Sequence, residues 1–374
     1  MSASGIYDCV VIGAGIAGAS VAYELSQDAS VLLLEMESAP GYHTTGRSAA
    51  VLAPSYGPAP IRALTRASVP FFESPPEGFC DDPLVSPHEV IMLARKDQMG
   101  SLERFFEGAG SEADLTRLNA GELRARHPLL RQGYGEAGAL DPSTHVMDVD
   151  LLHRGFLRGF KARGGSLAVG SEVTSLSRSN GVWDVQAGEV FRGSVVVNAS
   201  GAWADHVGAL AGAERIGLVP KRRTALIVEG PWGVDVARLP MIVDIDEQFY
   251  MKPEAGKLLI SPANEDPVEP HDVQPEEMDV ALCVDRITRA FDLEVRRIEH
   301  SWAGLRSFVA DKSPVVGYSE LVEGFFWLAG QGGYGIQSAP GLSRLGAALA
   351  RGEDVPEDLV AEGVRVEDLA VGRG

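Results

Sequence analysis

The chain has 374 residues, of which 45% are hydrophobic, and its mean hydropathy is near zero, so it can bury a large core and is expected to form two domains. Its formal net charge of −19 argues against binding to nucleic acids or anionic membranes, because both require a basic protein face. No segment reaches ~20 uninterrupted apolar residues, and Cys9, Cys80 and Cys283 are isolated, so we expect a cytoplasmic protein without a membrane span, a disulfide framework or a metal site.

The first predicted elements are a strand, a helix and a second strand. The apolar run Tyr7 to Ile12 leads into G-A-G-I-A-G at 13–18, and the run Val31 to Leu34 ends before Glu35. The three glycines allow a tight turn, close approach of a pyrophosphate, and close packing of the helix on the sheet, in that order. Glu35 can accept hydrogen bonds from a ribose diol and would repel a 2′-phosphate. The unit therefore predicts NAD or FAD rather than NADP, held by Gly13, Gly15, Ile16, Ala17, Gly18 and Glu35.

The next part of the chain favours FAD. The small, polar segment 41–50 suits a backbone that follows a bound cofactor. Helical periodicity covers Ile61 to Phe72 and Leu152 to Ala162. Strands are predicted at Gly170 to Leu176, at Val182 to Val185 paired with Val190 to Phe191, and at Val195 to Val197. A meander of this kind before a second glycine turn is typical of flavoproteins, whereas NAD dehydrogenases continue with further βα units.

The second half begins with predicted antiparallel strands and ends with a second glycine loop. The predicted strands are Arg223 to Val228, Met241 to Ile245, Phe249 to Pro253 and Lys257 to Ser261, and a helix covers Glu276 to Phe291. A buried strand at 325–330 precedes Q-G-G-Y-G-I-Q at 331–337, a helix to Ala350, and an expected surface tail from Glu353. We predict an α/β (α+β) fold, with a Rossmann-like FAD-binding domain at 1–85, 140–215 and 307–374 and an antiparallel-sheet substrate domain at 86–139 and 216–306.

Six motifs together resemble the D-amino acid oxidase superfamily of FAD enzymes: G-A-G-I-A-G, T-T-G-R-S-A, V-V-N-A-S-G-A-W, K-R-R-T, W-A-G-L-R-S-F and G-Q-G-G-Y-G-I. Within that superfamily, G-Y-H-T-T-G-R-S-A-A and H-S-W-A-G-L-R-S-F-V-A-D are similar to the bacterial D-arginine dehydrogenases. The resemblance implies noncovalent FAD that accepts a hydride at N5 from the Cα of a D-amino acid. The imino acid product would hydrolyse to a 2-oxo acid and ammonia, and a quinone, dye or O2 would reoxidise the flavin.

The resemblance also implies roles for individual residues. Arg223 and Arg306 match the arginines that hold the substrate carboxylate, for which a planar guanidinium is well suited. Tyr250 matches a phenol that reaches the same carboxylate, and Tyr56 matches a ring on the active-site lid. Gly333 matches a loop that offers backbone groups to the substrate amine and the flavin. The other implied cofactor contacts are Thr45, Gly46, Arg47, Ser48, Ala49, Ala50, Val173, Ala199, Gly201, Trp203, Gly332, Tyr334, Gly335 and Ile336, and Arg306 and Gly333 belong to this set as well.

Two departures from the D-arginine dehydrogenases affect the expected substrate. Val51 and Leu52 stand where those enzymes have a histidine and a tyrosine. The glutamate with which those enzymes attract a cationic side chain aligns with either Glu89 or Val90. If Val90 faces the pocket, we expect an apolar or small substrate, because burying an unpaired cation is costly. Oxidation of glycine, an N-methyl amino acid or an unusual amino acid is an alternative. A non-catalytic flavin-binding subunit is another, although such a subunit would not need the two arginines and Tyr250.

Overall fold

Three β-sheets and nine α-helices make up the part of the chain described by the structure, a computed structural model that covers residues 5–110 and 113–373. The strands are β1 (Tyr7–Ile12), β2 (Val31–Leu34), β3 (Val51–Leu52), β4 (Val85–Pro87), β5 (Val90–Ala94), β6 (Thr116–Asn119), β7 (Ala137–Asp141), β8 (His145–Met147), β9 (Ser166–Ala168), β10 (Ser175–Ser179), β11 (Val182–Ala187), β12 (Glu189–Asn198), β13 (Val219–Val228), β14 (Met241–Asp244), β15 (Tyr250–Glu254), β16 (Lys257–Ser261), β17 (Asp266–Pro267), β18 (Ile298–Phe308), β19 (Val315–Tyr318) and β20 (Phe325–Ala329). The helices are α1 (Ile16–Leu25), α2 (Ala59–Glu73), α3 (Met99–Ala109), α4 (Ala120–Arg126), α5 (Val149–Ala162), α6 (Ala204–Ala211), α7 (Glu277–Ala290), α8 (Gly335–Arg351) and α9 (Glu357–Ala361).

The first sheet has the N-terminal glycine motif at its centre. Its strands run in the order β10-β11-β12-β1-β2-β9, and β20 pairs with β12 and β19. The pairs β1–β2, β1–β12 and β12–β20 are parallel, so the carboxyl ends of these strands meet at one edge. Alternate residues of β1 and β2 enter different cores, as period-2 strands buried on both faces require: Val11 and Leu33 pack with α1, α5 and α8, and Val10 and Leu32 pack against β10, β11 and α6.

The second sheet is mostly antiparallel and lies in the second half of the fold. Its nine strands follow the order β17-β13-β16-β15-β14-β5-β7-β6, with β18 on β13. The longest pairing joins β13 and β18 and runs from Val219 opposite Phe308 to Val228 opposite Ile298. Helix α7 covers a core formed with Leu226, Ile260 and Met251. A third, small sheet of β3, β8 and β4 carries the chain between the other two sheets.

Three predictions about the chain path need correction. Residues Gly170 to Thr174 form a loop, because Gly170 has a φ of +62° and the amides of Gly170 and Ser171 bond to Glu37 O and Glu35 O; the strand begins at Ser175. The runs at 190–191 and 195–197 belong to the single strand β12. Gly193 lies between the two runs and lets the strand pass close to β1, since a Cβ at this position would lie 2.7 Å from Val10 Cγ2.

The expected surface tail after Glu353 is instead packed on the core. Helix α9 lies in this segment, and Leu359, Val364 and Leu369 are buried in the cluster around α1, α2 and α8. The division into two domains remains a prediction, and residues 1–4, 111–112 and 374 of its ranges lie outside the described residues. Across residues 5–110 and 113–373, no helix is long and apolar enough to cross a membrane.

Candidate active site

The glycine turn after β1 is built as tightly as its sequence predicts. Gly13 has a φ of +97°, and a Cβ on Gly18 would lie only 1.8 Å from Gly13 O, so a side chain at position 18 is excluded. Glu35 follows β2 and is 7% exposed. Its carboxylate accepts hydrogen bonds from Ala14 N at 2.9 Å and Glu37 N at 3.0 Å. The backbone therefore fixes this acid beside the turn.

A long cleft starts at this turn and continues to the paired strands β13 and β18. It follows the segment 41–49, the loop 171–173, the turn 199–203 and the loop 330–336. The predicted residues that line it are Gly13, Gly15, Ile16, Ala17, Glu35, Thr45, Arg47, Ser48, Ala49, Val173, Ala199, Gly201, Trp203, Arg223, Tyr250, Arg306, Gly332, Gly333, Gly335 and Ile336. Most residues that sequence reasoning placed at the cofactor and substrate are thus brought to one continuous surface.

Several predicted residues do not line this cleft. Gly18 packs beneath the turn, and Gly46 donates its N–H to Gly41 O at 2.8 Å. The remaining residues of this kind are Ala50, Val51, Tyr56, Glu89 and Tyr334. For these residues the contacts with the cofactor or substrate stay predictions.

Among the side chains of the segment 41–49 that bind protein groups are those of Thr45 and Arg47. The hydroxyl of Thr45 accepts a hydrogen bond from Ile16 N at 2.9 Å, so it caps the first turn of α1. The guanidinium of Arg47 donates to Asp272, at 2.5 Å, and to Val273 O and Ala303 O. Arg47 therefore ties the segment to the second sheet through its guanidinium, while the residue itself lines the cleft as part of the segment predicted to follow the cofactor.

Arg223 and Arg306 form a pair of cations at the end of the cleft. Arg223 is 7% exposed, donates from Nη2 to Glu265 Oε1 at 3.0 Å, and has a buried Nε without a partner among the described residues. The side chain of Arg306 makes no hydrogen bond or ion pair within the described part of the chain, and its Nη1 would lie 2.8 Å from a Cβ on Gly333. Burial lowers the pKa of Arg223, and the charge of Arg306 lowers that pKa further.

The environment of Arg306 favours its charged form. Burial opposes the charge, but Tyr250, Tyr56 and Glu247 outweigh this effect and raise the pKa of Arg306 above its usual value. Both guanidinium groups stay protonated at neutral pH. They present donors that protein acceptors leave unused, which is what an anionic ligand requires.

One wall beside the arginines is apolar. Val90, Tyr250 and Met241 pack together with Ala225, Leu259 and Ala263, and Val51 packs against this cluster. Glu89, in contrast, lies on the surface and pairs with Arg126 at 2.9 Å, with 47% of its side chain exposed. Of the two residues that the alignment left open, Glu89 is therefore placed outside the cleft, and Val90, the first residue of β5, is buried.

Tyr56 and Tyr334 line a second cavity, which adjoins the cleft in sequence where Gly333 of the cleft precedes Tyr334. Their rings meet edge to face at 5.4 Å, and Tyr56 donates to Glu247 Oε1 at 2.6 Å. Both tyrosines and Glu247 line the adjoining cavity together with Arg62, Arg104 and Lys312. Burial and the charge of Glu247 raise the pKa of Tyr56 well above its usual value, so this phenol stays protonated and can donate a hydrogen bond.

Comparison with known families decides the class of this site. The family model described as "DAO: FAD dependent oxidoreductase" matches residues 8–349. The chain belongs to the DAO family. The resemblance to the D-amino acid oxidase superfamily is thereby confirmed at the level of the family, and FAD is the cofactor of this DAO chain.

Relatives of this DAO chain include proteins that are named for different activities. It is 31% identical over 223 residues to L-2-hydroxyglutarate dehydrogenase of Escherichia coli O17:K52:H18 (strain UMN026 / ExPEC), a match that covers 56% of this chain and 51% of that protein. It is 26% identical over 385 residues to mitochondrial dimethylglycine dehydrogenase of Homo sapiens, covering 94% of this chain and 43% of that protein. The chain thus spans about half the length of these curated relatives or less.

Solved structures confirm the predicted fold class. Glycine oxidase from Geobacillus kaustophilus matches with a TM-score of 0.84 and 22% identity, covering 98% of this chain and 99% of that one. L-proline dehydrogenase from P.horikoshii matches with a TM-score of 0.84 and 20% identity, covering 98% and 97% of the two chains. At these identities the similarity establishes the DAO fold.

The residues of the cleft fit FAD. The glycine turn leaves room for a pyrophosphate at the N-terminus of α1, and Glu35 is held where a ribose can reach it. Gly332 and Gly333 offer a surface without side chains. At Gly332 a side chain is excluded, because its Cβ would lie 2.0 Å from Phe308. The buried hydroxyl of Ser307, which lines the cleft, has no partner among the described residues. Unused polar groups and bare backbone at this end are suited to a flat, polar ring system.

Sequence reasoning missed two acids of the site and misjudged one arginine. Glu247 lies in the turn between β14 and β15 with a φ of +52°, and Glu265 follows β16; in sequence both resemble solvated turn acids. Arg222, which could have been a surface residue, is 6% exposed and pairs with Asp279 at 2.7 Å. Arg222 lies just before the predicted strand Arg223 to Val228; the observed strand β13 begins at Val219, and in it the side chain of Arg222 faces away from that of Arg223.

Proposed function

We propose that this DAO enzyme oxidises the Cα–N bond of a D-amino acid whose side chain is apolar or of modest size. The observation that carries the proposal is the pair Arg223 and Arg306. Both residues line the cleft, and Nη1 of Arg223 and the whole guanidinium of Arg306 have no protein acceptor in the described chain. A carboxylate next to the reacting carbon is the ligand that such a pair holds best. The similarity of several motifs to bacterial D-arginine dehydrogenases supports an amino acid as the substrate.

The chain's contribution is to bind and orient the substrate. Bound FAD supplies the hydride acceptor. Arg306 and Arg223 hold the carboxylate, Tyr250 lies beside them in the apolar wall, and the backbone at Gly333 is placed to accept a hydrogen bond from the amine. Fixing the substrate in this way removes orientational freedom before the reaction, which lowers the barrier. The electron acceptor that reoxidises the enzyme is proposed to be a quinone, a dye or O2.

The apolar wall supports a neutral side chain rather than a cationic one. Members of this cluster that line the cleft, such as Ala225, Tyr250 and Trp302, offer no carboxylate to a substrate cation, and Glu89 is engaged by Arg126 on the surface. Burying an unpaired cation costs several kcal/mol, roughly the whole binding energy of a weak ligand. We therefore expect D-methionine or D-phenylalanine to be better substrates than D-arginine.

A second candidate is oxidation of a 2-hydroxy acid. The identity with L-2-hydroxyglutarate dehydrogenase over 56% of the chain favours it, and the same two arginines would hold a hydroxy acid carboxylate. The products separate the two candidates. Oxidation of an amino acid releases one ammonia for each 2-oxo acid, whereas oxidation of a hydroxy acid releases none, so ammonia and 2-oxo acid are measured together after turnover with each substrate. Formation of 2-oxo acid without ammonia, from hydroxy acids alone, would refute the proposal.

We also propose that the FAD is held noncovalently. None of the three cysteines lines the cleft in the described chain: Cys9 lies within β1, Cys283 within α7, and Cys80 in the loop after α2. Burial raises the pKa of Cys9 to about 12, which leaves little thiolate for attachment. Acid precipitation should release all of the flavin into the supernatant, and flavin retained on the precipitated chain would show a covalent bond.

A further inference from the structure

Glu265 connects three cations at the end of the cleft. Its Oε1 accepts a hydrogen bond from Arg223 Nη2 at 3.0 Å, and its Oε2 accepts one from Lys221 Nζ at 3.0 Å. Lys312 Nζ lies 3.6 Å from Oε2, and 25% of the Glu265 side chain is exposed. Burial alone would raise the pKa of Glu265, but Lys221, Lys312 and Arg223 lower it below its usual value. The acid is therefore charged at neutral pH.

The orientation of Arg223 depends on this acid more than on any other group. Glu265 accepts the one side-chain hydrogen bond that Arg223 makes in the described part of the chain. Among residues 5–110 and 113–373, the only other acid that pairs with Arg223 is Glu247, whose Oε2 lies 3.9 Å from Arg223 Nη2. This is beyond hydrogen-bond distance, and Glu247 already accepts a hydrogen bond from Tyr56. A long side chain held by one bond is free to rotate once that bond is lost.

We propose that Glu265 is a positioning residue for the carboxylate site, because it fixes the Arg223 guanidinium through Nη2 so that Nη1 remains available to the ligand. This inference rests on the proposed function only in requiring that the two arginines bind a carboxylate. The lysines complete the arrangement: Lys221 occupies the second oxygen, so the carboxylate of Glu265 is held from both sides. A guanidinium oriented before binding loses less entropy when the ligand arrives.

Two conservative substitutions separate positioning from charge. Glu265→Asp keeps the charge but shortens the reach toward Arg223 by one methylene, and Glu265→Gln keeps the reach and one acceptor oxygen but removes the charge. Positioning predicts that the aspartate variant is impaired and the glutamine variant is not. A purely electrostatic role predicts instead that the aspartate variant binds as the wild type does and that the glutamine variant binds a carboxylate more tightly, because a negative charge beside the site has been removed. Glu254, which pairs with Lys252 at 2.8 Å on β15 and does not line the cleft, provides matched control variants.

The experiment titrates the FAD-loaded protein with benzoate and with benzamide, its neutral analogue, and follows the flavin absorbance. We expect Glu265→Asp to raise the Kd of benzoate about tenfold, the loss of roughly one charge-assisted hydrogen bond, and Glu265→Gln to raise it less than threefold. Benzamide binding should not change in either variant. Glu254→Asp and Glu254→Gln should bind both compounds as the wild type does.

Each other outcome overturns the inference. An aspartate variant within threefold of wild type, a glutamine variant as weak as the aspartate variant, or equal losses for benzoate and benzamide would each contradict positioning of Arg223. Wild-type protein that binds benzoate no better than benzamide would overturn the carboxylate site as well. Failure of the proposed function is a separate result: a protein that binds benzoate as expected but is reduced by no D-amino acid would retain this inference.

Discussion

Arg223 and Arg306 project from the same face of the β13–β18 pair and lie diagonally across it: Arg306 is opposite Lys221, and Arg223 is opposite Gly304. Directly opposed residues of antiparallel strands share a face, and diagonal neighbours are within reach of long side chains. Gly304 adds no side chain in front of Arg223, so the space there remains part of the cleft. The register of one strand pair thus sets the distance between the two cations.

Replacing either arginine by methionine should weaken carboxylate binding while FAD stays bound. We expect the Kd of benzoate or substrate to rise by one to two decades, from the loss of ~1.5–3 kcal/mol of charge-assisted hydrogen bonding. Because the side chain of Arg306 makes no hydrogen bond or ion pair in the described chain, Arg306→Met should also leave the melting temperature unchanged. Normal ligand affinity in either variant would show that the arginine concerned has a structural role only.

A methyl group on Gly333 should disturb Arg306 without disturbing the fold. Its Cβ would lie 2.8 Å from Arg306 Nη1, and the φ of Gly333 is outside the left-handed region, so the backbone accepts alanine. We expect Gly333→Ala to raise the Kd of benzoate about tenfold, because the guanidinium must move away. Gly108→Ala, where nothing lies within 4 Å, is the control. Equal affinity in the two variants would contradict a close contact between Gly333 and Arg306.

Local patterns explain which parts of the fold the sequence could predict. The bounds of β1 and β2 agree with the prediction at every residue, because the apolar runs and glycines that specify them are contiguous. The pairing of β13 with β18 joins distant parts of the chain, so β18 was not predicted although its W-A-G-L-R-S-F motif was noted. Non-local register of this kind has no signature in a single sequence.

What the sequence did not decide at the site has the same origin. Glu89 and Val90 differ by one position, and only the start of β5 decides which of them faces inward. Glu265 and Glu247 carry the signature of exposed turn acids, and both are drawn to the arginines by the fold. Arg47 lies in a motif that follows the cofactor, yet its guanidinium is bound by Asp272 from the second sheet. Tertiary partners, not local sequence, determined these side chains.

Removing the carboxylate of Glu35 should weaken FAD binding. The group is held by Ala14 N and Glu37 N beside the glycine turn, and it is placed to accept hydrogen bonds from the ribose. Glu35→Ala should raise the Kd of FAD by roughly one to two decades, measured by recovery of free flavin fluorescence on dilution. Glu37→Gln is the control, since the Glu37 carboxylate contacts His43 at 2.9 Å. An unchanged FAD affinity in Glu35→Ala would contradict the assignment.

His127 should make the protein less stable in mild acid. The ring is 1% exposed against Phe291, and burial lowers its pKa from 6.5 to about 4. Above pH ~6.5 the His127 ring is neutral in both the folded and the unfolded state, so its contribution to the free energy of unfolding is fully present. As the pH falls from ~6.5 to ~4 only the unfolded state takes up the proton, and roughly 3 kcal/mol of stability is lost.

A substitution at this histidine isolates its effect. The free energy of unfolding in urea is measured between pH 7 and pH 4 for wild type and for His127→Phe, both saturated with FAD. The wild type should lose more stability than the variant over this interval, because phenylalanine cannot bind a proton. Parallel curves for the two proteins would mean that His127 is protonated in the folded state.

The most direct test of the central claim is the rate of flavin reduction without oxygen. The FAD-loaded protein is mixed anaerobically with D-methionine, L-methionine, D-arginine and L-2-hydroxyglutarate, and the same series is run with Glu89→Gln. We predict that D-methionine bleaches the flavin fastest, that L-methionine and L-2-hydroxyglutarate do not bleach it, and that Glu89→Gln behaves as wild type. Bleaching by L-2-hydroxyglutarate alone, or a preference for D-arginine that disappears in Glu89→Gln, would contradict the account.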